Sequence, residues 1–323
     1  MSSRPMLLEV RDLDVVLRGA RATPVVRKLS FEIRRGERLA VVGESGCGKS
    51  VTSLAIMNLL PPALSVTGGS LRFDGTELTA LDARAMRDIR GRRIAMVFQE
   101  PMTSLNPSMT IGHQIIEIIR AHEPVSKAAA RQRAIELLEQ VRLPDPHRMV
   151  DEYPHRLSGG QRQRVVIAIA IACRPDLIIA DEPTTALDVT IQAQIMTLLT
   201  SLQRDLGMAI MLITHNLGLV AQVADRVMVM YAGRKVEEAA VGDLFDQPRH
   251  PYTRGLLAAT PRPGRRFPDK VLQEIPGLVP SIYDLPPGCA FAPRCDLATE
   301  RCSAGEPRLR SLGPGREIAC VLA

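Results

Sequence analysis

The stretch Leu39-Ala-Val-Val-Gly-Glu-Ser-Gly-Cys-Gly-Lys-Ser50 decides the fold. Its first four residues are apolar and read as a buried strand. Gly43 to Ser50 then spells G-x-x-x-x-G-K-S, and Val51 to Leu60 carries apolar residues at helical spacing. Each residue type has a physical task. Gly43, Gly46 and Gly48 let the backbone turn until its N–H groups converge on phosphate oxygens. Lys49 adds a point charge for the outer phosphates, and the Ser50 hydroxyl can ligate Mg²⁺. The helix that follows aims its positive end at the same anion. Glu44, Ser45, Cys47 and Val51 lie within or beside the same turn and are expected to line the phosphate site. A glycine-rich turn in an unrelated α/β protein would not need strand, loop and helix in this order.

Around that loop, composition sets limits. A chain of 323 residues has room for about two domains and a substantial core. Hydrophobic residues make up 46% and charged residues 24%, as in ordinary globular proteins. No apolar run approaches bilayer length, and Met1 to Ala20 lacks the apolar centre of a signal peptide, so a cytoplasmic location is expected. The net charge of +6 is mild and the arginines are scattered, which gives no nucleic-acid stripe. An anionic membrane surface suits this charge equally well. Of six cysteines, four fall in the last 35 residues, and in a cytoplasmic chain such a cluster suggests metal before disulfides.

Leu7 to Leu17 and Val25 to Ile33 alternate as strands and are expected to form an antiparallel layer ahead of the phosphate-binding strand. Leu71 to Phe73 runs into Asp74-Gly75-Thr76, a strand entering a tight turn. Ile94 to Phe98 is a short buried strand. Ile111 to about Leu143 reads as helical, with Ala134, Ile135, Leu137, Leu138 and Val141 forming its apolar stripe. Val165 to Cys173 reads as a packed helix. Leu177 to Ala180, Ile210 to Thr214 and Val227 to Tyr231 are continuous apolar runs, typical of parallel strands buried on both faces. A helix over Ile191 to Leu206 separates the first two, so the fold class is α/β with a mostly parallel sheet. Composition shifts near Gln247: half of the 24 prolines lie beyond it, and no long regular core is expected there.

Further residues define the chemistry. Asp181 and Glu182 end an apolar strand, at the edge where ligands sit in open α/β sheets. Asp181 suits Mg²⁺, and Glu182 suits the polarisation of water attacking a γ-phosphate; a helix N-terminal acidic pair is the bland alternative. Gln99 follows a strand and can sense metal and γ-phosphate, although a lone loop glutamine is usually only solvated. His215 ends another strand, where a neutral imidazole can hold the γ-phosphate and the water, although lone strand-end histidines are more often structural. Leu157-Ser158-Gly159-Gly160-Gln161 is a second anion-cradling helix start. Two phosphate devices with one active edge suit a head-to-tail dimer, each subunit's Leu157–Gln161 segment closing on the other's Gly43–Ser50 loop.

On these residues the sequence resembles the ATP-binding subunits of ABC transporters over roughly residues 5 to 250. Gly43–Ser50 matches the Walker A loop, Leu177–Glu182 the Walker B strand, Leu157–Gln161 the signature motif, Gln99 the Q-loop, His215 the switch histidine and Ala186-Leu-Asp188 the D-loop. The resemblance implies a P-loop ATPase fold with an N-terminal antiparallel layer and a helical subdomain at about 101–165. It also implies that two subunits sandwich two ATP molecules with Mg²⁺ held by Ser50, Gln99 and Asp181. Closure and hydrolysis would then drive membrane partners docked beside the Q-loop.

Gln99 to Pro107, Tyr153-Pro-His155, Asp188 to Gln194, His250-Pro-Tyr252 and Pro286 to Cys295 are similar to the oligopeptide/dipeptide importer subfamily, with 251–323 as its C-terminal extension. The resemblance implies a peripheral subunit on the cytoplasmic membrane face. Its expected partners are two permeases, a peptide-binding protein and a second ATPase. Thr184-Thr185-Ala186 and the 277–294 stretch look closer to the first of two different ATPases, so a heterodimer is expected ahead of a homodimer, and nucleic acid is not expected. Importers of nickel or another small solute, and soluble ABC ATPases, are the alternative readings. Tail cysteines resembling Cys289, Cys295, Cys302 and Cys320 are associated in that subfamily with a [4Fe–4S] cluster; four thiolates also suit zinc. Its expected role is structural, for want of apolar material in the tail.

Two positions depart from the family pattern. Leu17 stands where an aromatic ring usually stacks on adenine, so weaker selection between ATP and GTP is expected. Cys47, at a helix start beside lysine, is expected to have thiolate character and to alkylate readily.

Overall fold

The computed structural model describes residues 4–19, 22–100, 104–185, 187–260 and 274–323. They separate into two units that interleave along the sequence: Met1–Leu7, Arg34–Glu37 and Ala80–Leu212 in one, and Leu8–Ile33, Arg38–Thr79 and Ile213–Ala323 in the other.

The unit holding the phosphate loop contains the expected antiparallel layer. Strands β1 (Met6–Leu17), β2 (Thr23–Arg34), β4 (Leu64–Phe73) and β5 (Thr76–Glu77) line up in the order β2-β1-β4-β5, with β3 (Arg38–Val42) elsewhere. β1 and β4 pair from Leu8↔Phe73 to Leu17↔Leu64, with a shift in register after Arg11. Gly69 lies opposite that shift at φ +89°, where a Cβ would stand 2.5 Å from the carbonyl oxygens of Arg11 and Asp12. Asp74 and Gly75 both have positive φ, which makes the β4–β5 connection the primed turn that matches strand twist.

β3 pairs in parallel with β9 (Arg226–Tyr231), from Leu39↔Arg226 to Val42↔Val229. Leu39 to Val42 and Val227 to Tyr231 are all buried, as their unbroken apolar runs predict. β10 (Arg234–Ala240) pairs antiparallel with β9, and β12 (Arg316–Ile318) with β10. β11 (Arg310–Gly313) completes that edge. The proline-rich tail is therefore more regular than its composition suggests: it contributes a hairpin to the sheet edge. It also has apolar anchorage that the sequence reading denied it. Phe291 is 4% exposed and lies 5.3 Å, ring centre to ring centre, from both Tyr231 and Tyr252.

In the other unit, β6 (Ile94–Val97) pairs in parallel with β7 (Leu177–Asp181), Ile94↔Leu177 to Val97↔Ala180, and β7 is flanked by β8 (Ala209–Ile213). The helical run expected from Ile111 to Leu143 is two helices, Ile111–His122 and Lys127–Gln140. Pro124 forces Glu123 into extended backbone (φ −134°, ψ 136°), and Ser126 caps the next start. The expected stripe of Ala134, Ile135, Leu137, Leu138 and Val141 is buried. The helix expected from Val165 starts earlier, at Gly159, and runs to Ile171. Val189–Leu206 is the longest helix among the described residues. Among the described residues no helix is long and apolar enough to cross a membrane.

Candidate functional site

β3 delivers the chain to Gly43, whose φ of +152° and surroundings admit no side chain. A Cβ there would stand 2.3 Å from the Met230 carbonyl oxygen and 2.8 Å from the Cys47 sulfur. Gly46 and Gly48 follow at φ +79° and +100°, and the helix Lys49–Ile56 begins on Gly48 with no side chain capping it. A helix start of this kind leaves backbone N–H groups for a ligand to satisfy. Lys49 is buried, and its Nζ folds back on the loop, donating to the carbonyls of Gly43 (2.8 Å) and Glu44 (3.0 Å). The ammonium thus sits inside the turn that the glycines shape. Ser45, Gly46 and Ser50 are exposed, and Val51 is half-buried.

Cys47 corrects the sequence expectation. It is 1% exposed, and burial pushes its thiol pKa up, outweighing the lowering pull of Lys49, whose Nζ lies 3.7 Å from the sulfur. A dry pocket disfavours the thiolate more than one ammonium favours it. In the same unit, half-buried Leu17 closes β1, and exposed His215 follows β8 immediately before Asn216, which caps the helix Leu217–Val223.

The other unit carries the acidic edge. β7 ends at buried Asp181, and Glu182 follows at φ +46°, a left-handed backbone that costs a non-glycine residue on the order of 1–2 kcal/mol. This places the Glu182 carboxylate where it accepts hydrogen bonds from Gln99 Nε2 (3.1 Å) and Thr185 Oγ1 (2.9 Å). Gln99 and Glu182, 83 residues apart, therefore meet directly. Asp188 caps the helix Val189–Leu206 by accepting from the Ile191 N–H at 3.0 Å. Ala186, in the D-loop reading, and Pro101 to Thr103, in the subfamily stretch, lie outside the described residues.

Leu157 is buried and anchors the signature segment, while Ser158 and Gly159 are exposed. Ser158 Oγ accepts from the Gln161 N–H (3.3 Å), and Gln161 Oε1 accepts from the Ser158 N–H (2.9 Å), a reciprocal capping box. A Cβ on Gly160 would lie 2.9 Å from Ile191 Cγ2, and one on Gly159 3.4 Å from Leu187 Cδ2. The two glycines thus admit the segment around Asp188.

In the tail, Cys289, Cys295, Cys302 and Cys320 border one small cavity of about 10 Å³ together with His250. The Cys289 N–H donates to the Cys302 carbonyl at 2.8 Å, tying the first and third cysteines through the backbone. Burial raises the thiol pKa of Cys289 and Cys295. Among the described residues no group of three or more Cys, His, Asp and Glu side chains is arranged to hold a metal ion. Burial also holds the His250 imidazole down at about 4, so it is neutral at pH 7; its Nδ1 accepts from the Tyr252 N–H at 3.1 Å.

Two residues at this site were not singled out from the sequence. Tyr252 and Arg294 both reach Glu44 of the phosphate loop. Their only sequence signal is membership of the His250-Pro-Tyr252 and Pro286 to Cys295 stretches, which a one-dimensional reading places 200 residues and more from the loop.

Residues 26–185 match the family model described as ABC transporter, and residues 236–302 match the model of the oligopeptide/dipeptide transporter C-terminal region. The chain is 51% identical to a probable peptide ABC transporter ATP-binding protein of Sinorhizobium fredii, covering 99% of this chain and 97% of that one. It is equally 51% identical to the dipeptide transport ATP-binding protein of Escherichia coli, over 97% and 96% of the two chains. Among solved structures, a dimeric ATP-binding cassette in a post-hydrolysis state, bound to ADP and phosphate, superposes with a TM-score of 0.66 at 28% identity. The match covers 73% of this chain and 99% of that one.

Proposed function

The chain belongs to the ABC transporter family of ATPases, and on that premise we propose that it powers the import of di- and oligopeptides through a membrane transporter. The observation that carries the cargo class is the match of residues 236–302 to the oligopeptide/dipeptide transporter C-terminal region, within full-length similarity to peptide-transport subunits. In this reading residues 5–250 form the ATPase domain, with a helical subdomain at about 101–165, and 251–323 form the extension.

Residues Gly43 to Val51 hold the nucleotide phosphates, with Leu17 against the base. Ser50, Gln99 and Asp181 offer hydroxyl, amide and carboxylate oxygens, a donor set suited to a hard cation such as Mg²⁺. When bound, that ion neutralises charge on the β- and γ-phosphates. Glu182 takes a proton from the attacking water, and its bonds to Gln99 and Thr185 fix the carboxylate before substrate arrives. His215 orients the γ-phosphate. Leu157 to Gln161, with Asp188, act on the ATP of a partner subunit. A heterodimer with a second ATPase, on the cytoplasmic face beside two permeases and served by a peptide-binding protein, completes the assembly.

The four tail thiols are the donor set for a [4Fe–4S] cluster, with zinc as the alternative. Their chemistry fits either, and they share one cavity. A void of about 10 Å³ is the size of one water, so a cubane would require the wall to open, whereas a single ion needs less. No step of the ATPase cycle passes through this group. Iron and zinc analysis after anaerobic purification decides between them, and a chain without either metal removes both.

The function is tested by reconstituting the chain with candidate peptide permeases, a peptide-binding protein and a second ATPase. Peptide-stimulated ATP hydrolysis and peptide uptake are expected. Hydrolysis stimulated by nickel or another small solute, and not by peptides, overturns the cargo assignment while leaving the ATPase intact.

A further inference from the structure

Phosphate loops are usually described through the groups that face the nucleotide, yet here the C-terminal segment grips the loop from behind. The Tyr252 hydroxyl accepts a hydrogen bond from the Glu44 N–H at 2.8 Å. The Arg294 guanidinium meets the Glu44 carboxylate through two bonds, Nη1 at 2.7 Å and Nη2 at 3.0 Å. Glu44 directly follows Gly43, so the backbone contact and the side-chain contact both fall on the turn that opens the cradle.

Each gripping residue is itself rigid. The Arg294 side chain is 4% exposed, and its Nε donates to the Pro276 carbonyl at 2.9 Å. Its Nη2 also reaches the Ile275 carbonyl at 3.3 Å, and the guanidinium lies 5.9 Å from the Tyr231 ring centre. A planar fork with its donors occupied has few ways to move. Tyr252 is fully buried, 4.7 Å from the Tyr231 ring. Its N–H is tied to His250, and the His250 N–H donates to the buried Glu237 carboxylate at 2.9 Å. Elsewhere the loop is held by the β9–β10 turn, where the Gly233 N–H donates to the Cys47 carbonyl at 3.1 Å, and the neighbouring Arg234 pairs with Glu306 of the tail (2.5 Å).

We propose that Arg294, assisted by Tyr252, is a positioning residue for the phosphate loop: it fixes Glu44, and with it the turn at Gly43, in the conformation that receives ATP. The extension is then part of the nucleotide site and not an appendage to it. This inference rests on the ATPase reading, since it concerns what the loop does with nucleotide. Glu44 needs no contact with ATP through its side chain to matter in this scheme. Its carboxylate is the handle by which the tail holds the cradle open.

The test is equilibrium binding of a fluorescent ATP analogue to the full chain, with thermal unfolding of the same samples. Arg294→Lys keeps the charge and loses the two-pronged fork; Glu44→Gln keeps the shape and loses the charge. Each leaves a buried charge short of its partner, so both are expected to unfold several degrees lower yet remain fully folded at 25 °C, where they bind about fivefold to tenfold more weakly. The double variant should be no weaker than the weaker single, because one interaction has been removed twice. In steady state KM for ATP should rise while kcat holds, the signature of a lost ground-state interaction. Asp296→Asn, an exposed change in the same loop, should leave affinity unaltered. Folded Arg294→Lys and Glu44→Gln chains with unmodified affinity overturn the proposal, as does affinity that falls only where the chains have begun to unfold. Failure of the ATPase reading looks different: the unmodified chain itself would not bind the analogue.

Discussion

Two helix starts in this protein carry glycines, and they are built in opposite ways. At Gly43–Ser50 the glycines sit at positive φ, no side chain caps the helix and Lys49 points into the turn. At Leu157–Gln161 the helix is closed by its own capping box, and the glycines give room for the segment around Asp188. The first is an open receptor, whose donors await a ligand and whose shape is imposed by strain and by the tail. The second is a finished helix end that presents an exposed serine and glycine to whatever approaches it. A site that binds alone needs the former, and one that closes on a ligand already held by another subunit needs only the latter. The physical difference is in the capping: no side chain caps the helix that begins at Gly48, whereas Ser158 and Gln161 cap theirs reciprocally.

The largest effect that would break this comparison is expected at Gly43. In Gly43→Ala the added carbon meets a backbone carbonyl at 2.3 Å, and nucleotide affinity should fall by on the order of 100-fold or more in an isothermal titration. Gly160→Ala meets only the movable Ile191 methyl, at 2.9 Å, and the isolated chain should bind nucleotide as before. If Gly160→Ala abolished binding as Gly43→Ala does, the two starts would not differ as described. Glu182→Gln should lower kcat about 100-fold or more while nucleotide stays bound and the ATP-closed dimer accumulates, seen by phosphate release and light scattering. Undiminished turnover would remove Glu182 from its role. Ser158→Ala removes a cap worth about 1 kcal/mol. It should lower the unfolding temperature by a few degrees and slow hydrolysis in the assembled transporter, without weakening nucleotide binding to the single chain. The smallest change is expected at Leu17: Leu17→Tyr should tighten ATP about fivefold by adding a ring face, in competition against GTP. Cys47, buried as it is, should react slowly with N-ethylmaleimide in the folded chain and quickly after unfolding.

Much of the fold was legible because its signals are local. Runs such as Leu177 to Ala180 and Val227 to Tyr231 are apolar on both faces, and only a doubly covered strand satisfies that pattern. β10 shows where legibility ended. Its sequence Arg-Lys-Val-Glu-Glu-Ala-Ala looks like a solvated stretch, yet Lys235, Glu237 and Glu238 are buried. They tolerate burial because each finds partners, most of them outside the strand: Lys235 pairs with Glu317 as well as with Glu238 of its own strand, Glu238 with Arg226, and Glu237 accepts from the Arg249 and His250 N–H groups. Charge pattern along a strand says nothing about such partners. The helix break at Pro124 was readable in principle, since the residue before a proline avoids helical backbone.

What the sequence by itself determined is the set of short-range devices: the glycine-lysine-serine loop, the helix start at Leu157–Gln161, the acidic strand end and the family these residues mark. Those follow from backbone sterics and hydrogen bonding between residues a few positions apart, which a linear pattern records in full. Tertiary structure alone decided that Cys47 is shielded, that Glu182 takes a left-handed backbone beside Gln99, and that Arg294 reaches across 250 residues to Glu44. Burial and charge pairing depend on which distant groups share a volume, and that is set only when the chain has folded.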